Sequence, residues 1–212
     1  MSKSSVGKQC VRVTAFLITM TPLATQAFVV TITPGARAIY LQVGTGTVAG
    51  GNFNTGGTPQ DNTTVNLVSD TVPAANIGDG PRAMTSNSTV AQSPYDGFTF
   101  CTPGTQVYVG GFFRRAANGA GGDATLTVTT PPNLVNAALD TIAFTNISWV
   151  SSGIGDPTPT IPSGTFAGGL QTLLTIARNN WFESCLAFGY ANTQPVAAGV
   201  FNGRATYTLT AP

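Results

Sequence analysis

Three cysteines, eight carboxylates and no histidine set the limits on the chemistry open to this 212-residue chain. Without an imidazole, neither a Ser-His-Asp nor a Cys-His nucleophile can be assembled. The acids Asp61, Asp70, Asp79, Asp96, Asp123, Asp140 and Asp156 are scattered through turn-like stretches. A pair suited to glycoside hydrolysis would have to be created by folding, because no local spacing sets one up. Glu183 is the one acid inside an apolar run. Its expected place is a solvent-facing or arginine-paired strand position, in preference to that of a catalytic acid with a raised pKa. No loop gathers enough acids for calcium. The reading is therefore of a chain with no catalytic residue, no metal ligand and no cofactor. Arg114-Arg115, after Phe112-Phe113, could stack bases or bind acidic sugars. The commoner use of such a pair is a solvated strand end that discourages unwanted pairing.

The cysteines also bear on compartment. Residues 1–27 have the layout of a secretory leader. Lys3, Lys8 and Arg12 are followed by the apolar run Val13–Met20, a break at Pro22, and small residues ending at Ala27. That apolar run is too short to span a bilayer core of about 30 Å as a helix. Cys10 would leave with the leader, and the two remaining cysteines of an exported chain pair most simply as Cys101–Cys185. Both lie in strand-like runs, so the bridge is expected between packed strands or sheets. A zinc site or a reactive thiol is disfavoured, since neither histidine nor a third cysteine is at hand.

Charged residues are only 8% of the chain, against about 25% in ordinary globular proteins. Removing the leader takes three of the nine basic residues, leaving six against eight acids, a net charge of −2 with no lysine. Such a chain lacks the basic footprint of a nucleic-acid or membrane-surface binder. Thr, Asn, Ser and Gln must supply its solubility.

The elements that would hold these residues are strands. Phe28–Thr33, Ala38–Val43, Thr64–Val68, Phe98–Cys101, Thr105–Val109, Ala124–Thr129, Asp140–Val150 and Trp181–Tyr190 read as strands from alternation or from β-branched and aromatic content, and Leu170–Ala177 could be helix or strand, with its neighbours favouring strand. A bulge is expected near Asn146, where the apolar phase changes, and a bulge or strand end at Gly110-Gly111. Residues 44–62 read as a long loop or a pair of short edge strands, and residues 73–97 as a surface loop. After Gly199, residues Ala205, Tyr207 and Leu209 alternate with Arg204, Thr206, Thr208 and Thr210, the pattern of a terminal half-buried strand. About ten short strands between Gly, Pro and Asn turns make the fold all-β, a sandwich or barrel, with residues 28–212 as one domain.

The run Pro195-Val-Ala-Ala-Gly-Val-Phe-Asn-Gly-Arg-Ala-Thr-Tyr-Thr-Leu-Thr210 resembles the final strand of bacterial pilins of the chaperone–usher route, including the spore-coat-U-like branch. Gly199 stands where that terminal motif carries a glycine. The residue before last is Ala211, where many such pilins have an aromatic. What the resemblance implies is an immunoglobulin-like β-sandwich lacking one strand, completed by exchange with a neighbouring subunit. Phe28, Val30 and Ile32 have the alternation of a donated strand, and Ala205, Tyr207 and Leu209 would line the acceptor groove. The implied partners are copies of the same chain or related pilins, with a periplasmic chaperone and an outer-membrane usher. Nucleic acid and direct membrane insertion are not implied. The implied location is a fibre on the cell surface, reached through the periplasm. An ordinary first strand paired within its own chain competes for residues 28–33. A monomeric secreted adhesin or carbohydrate-binding module competes for the function.

Overall fold

The computed structural model describes residues 29–156 and 158–212. The leader assigned to residues 1–27, and Phe28 of the expected donor strand, lie outside the described residues. The strands that organise the chain are β1 (Val29–Thr31), β2 (Ala38–Val43), β3 (Gln106–Arg114), β4 (Ala124–Thr129), β5 (Ile147–Ser152), β6 (Leu170–Ile176), β7 (Asn180–Tyr190) and β8 (Thr206–Thr210). The fold is all-β, and every pairing is antiparallel.

The larger sheet runs from the short pair at Gly164–Thr165 through β5, β7 and β3 to β2. β7 is its central strand. β3 and the short stretch Arg82–Ala83 lie along one side of it, and β5 and β1 along the other. The smaller sheet has the order β6, β4, β8. The two sheets face each other across a core built by Val109, Trp149, Phe182 and Leu186 from the larger and Leu126, Val128 and Ile176 from the smaller.

The larger sheet is covered on its other face too. Alternation along β7 sends Phe182, Ser184 and Leu186 one way and Trp181, Glu183 and Cys185 the other, and all six are buried. The opposite face is closed by the mostly irregular stretch between β2 and β3. That stretch lays Phe53 and Tyr95 over Trp181, with ring centroids 5.0 and 5.6 Å away. Tyr40 of β2 and Phe112 of β3 complete this aromatic cluster. A strand buried on both faces can be apolar at nearly every position, which is the composition that marks β7 in the sequence.

Several expectations change. Val65, Leu67 and Phe98 remain in solvent, between 61% and 76% exposed, so neither Thr64–Val68 nor Phe98–Cys101 forms the expected strand. Val68–Ser69 makes only a two-residue pair with Thr85–Ser86, and Gln92 and Thr99 form an isolated bridge. Gly110 and Gly111 neither end nor bulge the strand. They pair in unbroken register with β2 and β7 because the backbones come too close for a side chain, and a Cβ on Gly111 would overlap the carbonyl oxygen of Tyr40. The phase change near Asn146 is a 3-10 turn, Phe144–Asn146, in place of a bulge. Leu170–Ile176 is a strand, and the alternating terminal strand is β8.

Cys101 and Cys185 form the expected disulfide, with Cα atoms 5.5 Å apart. Its placement differs from expectation. Cys185 is in β7, but Cys101 belongs to the covering stretch, so the bridge ties that cover to the sheet and does not join two strands. Replacing both cysteines by alanine is expected to lower the unfolding free energy by about 2–5 kcal/mol. Urea titration of variant and parent checks this, and an unchanged midpoint would show that the cover holds without its covalent tie.

Candidate functional site

Glu183 is the most unusual ionisable group of the chain. Its position in β7 points it into the covered face, where it is fully buried. Tyr108 of β3 donates its hydroxyl to Glu183 Oε2 at 2.8 Å, Ser93 of the cover donates at 2.9 Å, and the Trp181 indole N–H donates at 3.1 Å. Three donors therefore converge on one oxygen, while Oε1 is buried with no hydrogen-bond partner among the described residues. Gly110 lies directly opposite Glu183 on β3. A Cβ there would overlap the Tyr108 hydroxyl and come 2.9 Å from Glu183 Cβ. The glycine is what lets Tyr108 reach the carboxyl group.

Neither the solvent-facing nor the arginine-paired position expected of Glu183 is found. Desolvation by burial pushes its pKa above the ordinary carboxylate value. The three hydrogen bonds pull it back in part, and the negative charge of Asp96 adds to the rise. Tyr108 is held well above its own ordinary value, by burial first and then by the neighbouring carboxylate. Ser93 also lines, with Gln42, Asn52 and Gln92, an open polar hollow of about 290 Å³, so it stands between Glu183 and solvent. This arrangement fixes the cover to the sheet. Among the described residues, no three His, Cys, Asp or Glu side chains converge as metal ligands.

The residues expected to mediate assembly are not brought together. Val30 and Ile32 lie against β7. Val29–Thr31 pairs in cis with Asn180–Phe182, the Ile32 N–H bonds the Asn179 carbonyl at 2.8 Å, and Ile32 is buried beside Phe112 and Trp181. Ala205, Tyr207 and Leu209 lie at or beside β8 in the other sheet, half-buried at the margin of the main core. β8 and β2 are edge strands, and among the described residues no strand pairs with the outer edge of either. Leu41 and Val43 of β2 also pack at that margin. β2 and β8 thus run close together along a seam between the two sheets that no ladder closes. Arg37 crosses one end of it, donating to the Ala211 and Pro212 carbonyl oxygens at 3.1 and 3.4 Å. The alternation of residues 205–210 marks the seam in the sequence. Nothing in the spacing of Ser93, Tyr108 and Trp181 could have shown that they meet at Glu183.

A raised folded pKa means that the folded chain binds a proton the unfolded chain releases. Stability should then fall as pH rises from the ordinary value of 4.5 through the raised one. Glu183→Gln imitates the protonated carboxyl group and should flatten that decline, leaving the variant at least as stable as the parent at pH 7. Chemical denaturation from pH 4 to 8 tests this, and parallel slopes for the two proteins would show that Glu183 is not the titrating group. Gly110→Ala is expected to cost about 1–3 kcal/mol, by displacing Tyr108 and leaving buried polar atoms unpaired. An alanine variant as stable as the parent in the same assay would contradict that.

Comparison of the chain with protein-family models, with curated proteins and with solved structures returns no match.

Proposed function

We propose that this chain is a structural subunit of a bacterial surface fibre, an immunoglobulin-like sandwich joined to its neighbours by β-strand addition. The observation that carries the reading is this seam: two edge strands with no ladder on their outer edges, flanked by half-buried apolar side chains. Unpaired N–H and C=O groups beside partly covered apolar residues are what an added strand satisfies. In this reading the acceptor is the β8 edge, with Ala205, Tyr207 and Leu209 beneath it. The donor is the segment from Phe28 to Ile32 of the next copy. That segment holds to its own β7 by a three-residue pairing, short enough to be exchanged as in domain swapping. Export through the periplasm and a cell-surface location belong to the same reading.

The cis pairing of β1 favours a second reading, a monomeric exported sandwich that binds carbohydrate or another surface. Light scattering and electron microscopy of the exported protein separate the two. Fibre assembly predicts particles that grow with concentration, and a chain lacking residues 28–34 that keeps its β-sheet circular dichroism but stays monomeric. A full-length chain that is monomeric at every concentration would overturn the fibre, and assembly that survives the deletion would overturn the assigned donor.

A further inference from the structure

Four of the six arginines after residue 27, Arg37, Arg114, Arg115 and Arg178, meet at one end of the sandwich. Ala38, next to Arg37, pairs with Arg114 across β2 and β3. A Cβ on Gly35 would lie 3.4 Å from Arg114 Nε. The Arg115 side chain lies over Gly121, where a Cβ would overlap its Nη1 and come 3.6 Å from Pro212 Cγ. Arg37 bonds the carbonyl of that same Pro212. Arg178 donates to the Gly119 carbonyl, and a Cβ on Gly119 would lie 3.4 Å from Arg115 Nε. Shared neighbours thus link all four into one continuous surface.

The surface is held in place. Arg114 and Arg115 each stand 6.0 Å from the ring centroid of Phe112 and Phe113, which orients their guanidinium groups. Asn179, in the left-handed conformation at φ 61°, accepts the Arg115 backbone N–H at 2.8 Å and donates its own N–H to the Phe113 carbonyl at 2.6 Å. The turn carrying Arg178 is thereby fixed to the end of β3. No acidic side chain among the described residues forms an ion pair with any of the four, whereas Arg82 is paired with Asp70 at 2.5 Å. Arg114 Nε is buried with no hydrogen-bond partner among the described residues.

We propose that this end of the sandwich binds an acidic polysaccharide, with the four arginines engaging successive carboxylates of a uronic-acid chain. Guanidinium forks match carboxylates in two-bonded geometry. The charges are spread over strand ends and two loops, which suits a repeating anion better than a single small one. The facing loop, residues 116–122, contains only Ala, Asn and Gly, so it offers nothing to insert into a bilayer. Phe112 and Phe113 are buried beneath the arginines and cannot stack on nucleic-acid bases. The assignment does not depend on fibre assembly, because binding is read per chain.

Binding of the full-length exported protein to polygalacturonate, followed by calorimetry, tests the proposal. The parent should bind at low ionic strength and weaken as salt screens the contact. Removing the ligand's charge by methyl esterification should abolish binding while leaving the protein untouched. Arg37→Gln with Arg178→Gln should lower affinity on the order of tenfold or more, while Arg204→Gln, at the far end of β8, makes a charge change that should matter little. No binding by the parent, equal binding of the esterified polymer, an unchanged double variant or an equal loss in Arg204→Gln would each overturn it. So would equally tight binding to anionic lipid vesicles or single-stranded DNA.

Discussion

The structure depends on a strand that is buried on both faces. From Trp181 to Leu186, β7 sends alternate side chains into two separate interiors, and neither interior can be left open to water without exposing large aromatic and aliphatic surface. One is closed by the smaller sheet in the ordinary way. The other is closed by a long segment with little regular structure, and such a segment must be fastened point by point. The fastenings are chemically different: aromatic rings on Trp181, a disulfide at Cys185, and between them a buried carboxyl group gathering three hydrogen bonds. All three positions are successive odd residues of one strand, so a single register error would undo them together.

This clarifies what the sequence could and could not reveal. Strands whose side chains alternate, or are uniformly apolar, were legible, because burial dictates their pattern: β4, β7 and β8 are where that pattern places them, whereas β6 could be told from a helix only by its neighbours. The disulfide was legible once Cys10 is counted with the leader, but its role was not, because Cys101 sits in a strand-like composition that forms no strand. The cover was the main blind spot. Residues such as Val65, Leu67 and Phe98 have high strand propensity yet stay exposed, since propensity describes fit to a sheet surface and says nothing about whether one is available. The site at Glu183 was invisible for a related reason. Its partners come from the cover, from β3 and from β7, and only tertiary packing makes them neighbours.

Electrostatics follow from the same sparseness of charge. With few ionic groups, each has a strong local effect. Asp70 and Arg82 neutralise one another, whereas Glu183 forms no ion pair among the described residues. Four arginines share one end of the molecule with no acidic side chain paired to them among the described residues. The result is a polar, weakly charged body with one cationic end, a distribution that net charge alone would conceal.

The fastening of the cover also sets an order of events. Its anchors in β7 lie 84 to 90 residues downstream of Cys101 and Ser93, and β1 waits for the same strand. A chain emerging from its N-terminus can pair β2 with β3 early, but β1 and the cover lack their partner surface until residues 180–186 appear. Non-local closure of this kind slows folding, because loop entropy is lost before any contact repays it. During that interval the aromatic residues of the cover and the unpaired thiol of Cys101 stay accessible. The last third of the chain thus supplies the surface on which β1 and the cover close, so two of the earliest segments are the ones that must wait longest.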